Sequence, residues 1–338
     1  MHLGIDTFAE MEREPAATAG ERGAERVAHL LEEVEMADRT GLYTVGIGEH
    51  HRVEYVASAP QMLLAAAAAR TRSIRLSSAV TVLSSDDPVR VFQDFATLDL
   101  ISSGRAEIIV GRGSFIESYP LFGYDTQHYD ELFAEKLDLL LKLREETNIT
   151  WQGHHRPSLH GEGVWPRPLQ PRLSVRLGVG GTPNSFVRAG VLGLPLTVAI
   201  IGGEPRRFRP LVDLYRETYR RSGHAGEPDV AVHGLGFLAD TAAEAAEFWW
   251  PAYEKTFSRI GRERGWGQLT RRSFEQQCAE QGAFLVGDAR TVAQKMRHID
   301  QALGGVSCLS LNLSGGVPHA VQLRAIELLG TEVRPAVA

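Results

Sequence analysis

Cysteine is scarce, with two in 338 residues, Cys278 and Cys308, far apart and in no metal-like spacing. That excludes a disulfide framework and a thiolate-held metal, and it fits a reducing, cytoplasmic setting. No apolar run approaches the ~20 residues of a membrane span. The alanine-rich run 65–69 is too short and stops at Arg70. The N-terminus enters a strand-like segment directly, with no signal-peptide pattern. Positive charge is not in excess: a net charge of -6 gives no general pull towards nucleic acid or anionic lipid. The lysine of a P-loop and the spacing of a dinucleotide fingerprint are both missing. What is there, 43% hydrophobic and 23% charged residues, suits a globular protein with a large core.

The chain alternates between two periodicities. Apolar residues recur with period two at 3–8, 74–83, 105–113, 174–180, 196–201, 230–238 and 306–313, and in the stretch 41–51. Between them lie helical stripes at 21–40, 130–146 and 289–303 and after Asp87-Pro88, Thr182-Pro183, Phe208, Thr241 and Pro318. Ser58 is the expected cap of a helix reaching Arg70, and Pro251 should kink the helix after Thr241. Segments 148–170 and 261–282 lack a clear period and read as insertions, the first as a hairpin. Eight strands alternating with helices, without a composition break, predict one domain over 1–338: a (β/α)8 barrel of the TIM type, with a doubly wound open sheet as the alternative. Inward alternation sets Arg75 and Glu107 on neighbouring strands. They should pair, because a lone buried carboxylate is costly.

The stretch 41–51 reads Gly-Leu-Tyr-Thr-Val-Gly-Ile-Gly-Glu-His-His. Tyr43, Val45, Ile47 and Glu49 share one face. Thr44, Gly46, Gly48 and His50 share the other, which is nearly bare and leaves room for a ligand. His50 then stands at the carboxyl end of a strand, where α/β folds gather their chemistry, and an imidazole beside a pocket can trade protons near neutral pH. As a metal site Glu49-His50-His51 is poor, since neighbours on a strand point apart. His154, His155 and His160 read as loop residues, so no metal is expected. The run 178–185, Gly-Val-Gly-Gly-Thr-Pro-Asn-Ser, leads a strand through glycines into a helix, a suitable seat for a phosphate. Gly180, Gly181, Thr182 and Ser185 are its candidates, and Arg112, between two glycines, can reach the same anion. Two segments, 113–128 and 261–282, are candidate covers for the barrel mouth.

These pieces resemble the bacterial-luciferase-like flavin monooxygenases over nearly the whole chain. The resemblance rests on Glu49-His50-His51, on residues 77–83 followed by Pro88-Val89-Arg90, and on Gly104-Arg105 through Gly111-Arg112-Gly113. Phe122-Gly123, Gly180-Gly181-Thr182 with Ser185, Gly193-Leu194-Pro195 and residues 326–332 complete it. It implies a (β/α)8 barrel holding FMN at its carboxyl face, with reduced FMN supplied by a separate reductase and O2 oxidising a small organic substrate. It also implies His50 as the catalytic histidine, beside Glu49, and Arg112, Gly180, Gly181, Thr182 and Ser185 as phosphate ligands. Ala79, Val80 and Thr81 would stand under the flavin, with a non-prolyl cis peptide at Ala79-Val80. The family often pairs through its barrel helices, and 65–69 is the candidate surface for a homodimer. Gly181 and Gly111 replace an acidic residue and a cysteine of the light-emitting members, which argues against light emission. A deazaflavin-dependent oxidoreductase on the same barrel and a non-catalytic flavin-binding subunit are the alternatives.

Overall fold

The computed structural model describes residues 1–11, 17–113, 115–265, 267–313 and 316–337. Within them the chain closes a parallel barrel. Its strands are β1 (His2–Thr7), β2 (Thr44–Ile47), β3 (Arg75–Ser78) continued by β4 (Thr81–Val82), and β5 (Ala106–Gly111). After an antiparallel hairpin, β6 (Asn148–Trp151) with β7 (Leu159–Gly163), come β8 (Ser174–Val179), β9 (Leu196–Ile200), β10 (Val230–Leu238), the short outer strand β11 (Leu285–Gly287) and β12 (Cys308–Asn312). Each barrel strand pairs in parallel with the next, β10 pairs with β12, and β12 returns to β1 through Leu3↔Leu309 and Ile5↔Leu311. The open-sheet alternative is thereby set aside.

Alternation decides what faces which way. Val45 and Ile47 point outward and are fully buried under the helices, as are Leu76, Ile108 and Val110. The surrounding helices are α1 (Ala19–Arg39), α2 (Pro60–Arg70), α3 (Pro88–Ser102), the short α4 (Ser118–Leu121), α5 (Tyr129–Glu145), α6 (Pro183–Leu192), α7 (Arg209–Arg221), α8 (Ala242–Arg264), α9 (Arg271–Cys278), α10 (Ala289–Leu303) and α11 (His319–Leu328). Thr18 with Glu21 and Thr241 with Glu244 form capping boxes, and the Asp87 carboxylate caps α3 by accepting from Val89 and Arg90. Inside the barrel, Arg75 and Glu107 approach to 3.9 Å, the pairing that inward alternation predicts.

Several local readings change. Ala59, not Ser58, stands at the start of α2, without a side-chain cap. Helix α8 runs on through Pro251. Much of 261–282 is the end of α8 together with α9. In α9 only Phe274 is buried, and one apolar anchor in eight residues cannot display a helical period. The bare face of β2 is not vacant either. A Cβ on Gly46 would lie 2.2 Å from Asp6 Oδ1 and 2.7 Å from the Ala79 Cβ, and one on Gly48 would lie 2.5 Å from Phe8. These glycines make room for protein side chains. Gly46→Ala should therefore cost about 1–2 kcal/mol, read as a lower urea midpoint with unchanged slope. An unshifted midpoint would mean that Asp6 can swing away freely.

Candidate active site

A cavity of about 920 Å3 opens at the carboxyl ends of the barrel strands, a size in the upper range for cofactor sites. His50 and Glu49 line it, as do Ala79, Val80, Arg112, Gly180, Gly181 and Ser185. The sequence-predicted residues thus converge on one space, with two exceptions. Thr81 is fully buried and absent from the lining. Alternation breaks at Ala79-Val80, which is a cis peptide, and Ala79, Val80 and Val82 share the cavity side. Thr182 lies one residue outside the lining, at the start of α6.

His50 is 8% exposed and caged by rings. Its imidazole stacks on Tyr55 at 4.6 Å and meets the edges of Phe8 at 4.5 Å and Phe115 at 4.8 Å. Burial pushes its pKa down to about 3, and the nearby positive charges of Arg52 and His51 add to the effect. Burial therefore favours the neutral imidazole around neutral pH. The sequence suggests an imidazole that trades protons near neutral pH, and burial in the folded chain works against the charged form. Glu49 is held by the protein: Oε2 accepts from the Val82 N–H at 2.9 Å, and Oε1 contacts His51 Nε2 at 2.8 Å. It braces the backbone just after the Ala79-Val80 bond, where its own N–H also donates to the Val80 carbonyl at 3.3 Å.

Val80 projects between two barrel strands. A Cβ on Gly111 would stand 2.6 Å from it, and one on Gly178 2.8 Å. These two glycines seat the side chain that floors the cavity. Beyond them the strand β8 ends in Gly180 and Gly181, where an added Cβ would meet nothing within 4 Å. Helix α6 starts here with Thr182 in the capping position, but no side chain caps it. Pro183 brings no N–H to its first turn and the Ser185 N–H turns back to the Thr182 carbonyl, so the open groups here are the backbone at Gly180 and Gly181 and the Ser185 side chain, a seat that suits a phosphate. Arg112 lines the same region, stacked over Tyr129 at 5.1 Å and paired with Asp130.

A hydrogen-bonded pair of Asp6 and His233 inside the cavity was not anticipated. His233 Nδ1 donates to Asp6 Oδ2 at 2.6 Å, and both residues are buried and line the cavity. The carboxylate fixes the tautomer and leaves Nε2 as the nitrogen available to a ligand. Phe8 lies between the two imidazoles, stacked on His233 at 6.2 Å. The available signal was inward alternation, which puts Asp6 in β1 and His233 in β10 on the interior face.

The mouth is covered from two sides. Phe115, Glu117 and Ser118 come from the first expected cover, 113–128, while on the other side the lining residues are Tyr253 and Phe257 of α8, the helix whose last turn enters the second, 261–282. Arg52 ties the two together. It pairs with Glu117, reaches Glu263 at 2.6 Å, and lies over the Phe115 ring at 4.6 Å.

Residues 1–305 match the family model described as luciferase-like monooxygenase. Among curated relatives, 4-hydroxyprotoasukamycin monooxygenase of Streptomyces nodosus is 24% identical over 90% of this chain and 85% of its own. An uncharacterised protein of Sinorhizobium fredii, y4wF, is 34% identical, but the alignment spans only 40% of either protein. Solved structures with the same fold include the monooxygenase RslO1 of Streptomyces bottropensis, with TM-score 0.86 and 23% identity over the full length of both chains. The oxygenating constituent of 3,6-diketocamphane monooxygenase of Pseudomonas putida, in complex with FMN, has TM-score 0.78 and 19% identity over 100% of this chain and 99% of that one. An F420-dependent secondary alcohol dehydrogenase has TM-score 0.75 and 18% identity over 100% and 99%.

Proposed function

The chain belongs to the luciferase-like monooxygenase family, and on that premise we propose that it is an FMN-dependent monooxygenase acting on a small organic substrate with O2. Reduced FMN, delivered by a separate reductase, supplies two electrons, so that one oxygen atom enters the substrate and the other leaves as water. The observation that carries this reading is the uncapped start of α6, open beside Gly180 and Gly181 and facing the same cavity as His50.

The chain's own residues divide the work. The N–H groups at Gly181 and Thr182, with the Ser185 hydroxyl, hold the phosphate, and Arg112 joins them by exchanging its contact with Asp130. Ala79 and Val80 support the ring system, and Glu49 positions that support. Tyr253, Phe257 and Phe115 exclude water from the reacting face. His50, whose ring makes no hydrogen bond among the described residues, serves as a hydrogen-bond acceptor near the reacting atoms. It does not act as a cationic acid. His233, oriented by Asp6, is a second group able to accept and return a proton.

A fluorescence titration with FMN, riboflavin and F420 tests the assignment. FMN should bind at least about tenfold more tightly than riboflavin, because only FMN carries the charge-assisted contacts at α6. Equal affinities would remove the phosphate seat from the argument. Tighter binding of F420 would favour the deazaflavin-dependent reading, which the F420-binding structural neighbour keeps in play. Flavin binding without substrate oxidation would favour a non-catalytic subunit.

A further inference from the structure

Outside the cavity, the structure brings together three groups that are scattered in sequence. His128 and Glu131 lie at the start of α5, one helical turn apart, and His155 comes from the loop between β6 and β7. His128 Nδ1 lies 3.2 Å and His155 Nε2 3.3 Å from the same oxygen, Glu131 Oε2. All three ligand atoms fall within 4.8 Å of one another, and among the described residues no other trio of histidine, cysteine or carboxylate groups gathers in this way. We propose that His128, Glu131 and His155 form a binding site for a zinc-like transition-metal dication, which clamps the β6–β7 hairpin onto α5.

The spacing of the three groups accommodates a shared cation. A charge-assisted N–H···O⁻ bond settles at about 2.7–2.9 Å. Ligands held tetrahedrally at about 2.0–2.1 Å from one ion stand about 3.3–3.4 Å apart. The two separations, 3.2 and 3.3 Å, lie close to the second value and are also within hydrogen-bond reach. Two imidazoles with one carboxylate form a borderline donor set that suits Zn2+, whereas Mg2+ and Ca2+ require oxygen ligands. The scaffold also holds the third ligand in place. The Glu135 carboxylate, one turn beyond Glu131, accepts from the backbone N–H groups of His154, His155 and Arg156 at 2.6–3.1 Å. Arg156 in turn donates from Nε to Asp87 at 2.9 Å. The hairpin loop is thereby fixed against α5 whether or not a metal is bound, so little ordering entropy opposes binding. Three protein ligands leave a fourth position for water. None of the three lines the cavity, so the ion serves as a clamp at the rim. The segment it pins carries Tyr129 and Asp130, the residues stacked on and paired with Arg112.

The site is tested on the tag-free, full-length protein by titrating Zn2+ against a competing chelating dye, with thermal melting in parallel. One Zn2+ should bind per chain with micromolar affinity and raise the melting temperature, and millimolar Mg2+ should not displace it. His128→Ala and His155→Ala should each weaken binding at least about tenfold and abolish the thermal shift. His154→Ala, a neighbouring histidine outside the trio, should leave both intact. Saturable Zn2+ binding that survives both ligand substitutions, or no binding below about 100 μM, would overturn the proposal. All readouts are independent of flavin binding and substrate oxidation, so they stand apart from the proposed function.

Discussion

Replacing Arg176 with Met should lower the unfolding free energy by about 2–3 kcal/mol, less than for a fully buried ion network because the Asp229 carboxylate is partly open to solvent. Arg176 lies in the barrel interior, 8% exposed. Its guanidinium donates to Asp229 at 2.7 Å, to the Leu196 carbonyl at 3.0 Å and to Thr197 Oγ1 at 3.2 Å. Glu107 faces the same charge and is otherwise served by the Ser174 hydroxyl at 2.8 Å and by Arg75 at 3.9 Å. Met fills similar volume but offers no donor, so two carboxylates lose their shared counter-charge and a backbone carbonyl loses its partner. The pH dependence should change with it. Burial alone would raise the pKa of Asp229, but the Arg176 hydrogen bond and charge, with help from Ser307, hold it below the ordinary value. In the native protein this pair's contribution is complete above the unfolded carboxylate pKa and fades as pH falls through the lower folded value. The variant should lose that part of its acid dependence. Urea titrations at pH 7.5 and near pH 4 measure both effects. A loss under about 1 kcal/mol at pH 7.5 would mean that water already solvates the two carboxylates.

This network shows how far alternation alone reaches. The inward placement of Arg75 and Glu107 was legible because two neighbouring strands have a two-residue period and one charge of each sign. The strand that supplies Arg176 was legible too, but its partner Asp229 precedes β10, and no local rule links the two. The same holds for Asp6 and His233, which are 227 positions apart. Period two tells which side chains point inward; it does not tell which of them meet across a closed barrel. Gly46 and Gly48 were legible as bare positions, but the space beside them is filled by side chains. Gly46, Gly111 and Gly178 each face a specific side chain, Asp6 or Val80, whose direction depends on backbone geometry elsewhere. Of the glycines that line the cavity, only Gly180 and Gly181 would place a Cβ in free space, and they belong to the motif legible from local sequence.

His50 is the residue whose substitution should separate binding, chemistry and acid stability most cleanly. Its cage of Tyr55, Phe8 and Phe115 excludes water and lowers its pKa to about 3, against 6.5 for the free imidazole. Below pH 6.5 the unfolded chain takes up a proton that the native site refuses. The unfolded state then binds more protons, and stability drops by about 1.4 kcal/mol per pH unit until the folded pKa is reached. His50→Gln keeps a polar side chain but cannot titrate. Between pH 7.5 and 4.5 the native protein should therefore lose about 2–3 kcal/mol more than the variant, read as diverging urea midpoints. Parallel curves would mean that the imidazole protonates in the folded state, and its assignment as a neutral acceptor would go with them. At pH 7.5 the same variant should bind FMN within about threefold of the native protein, because the phosphate seat at α6 is untouched, and should oxidise substrate about 10²-fold more slowly. Loss of FMN affinity in step with turnover would instead make His50 a wall of the flavin pocket. Unchanged turnover would leave the proton transfers to His233, whose Nδ1 contact with Asp6 already orients it for that task.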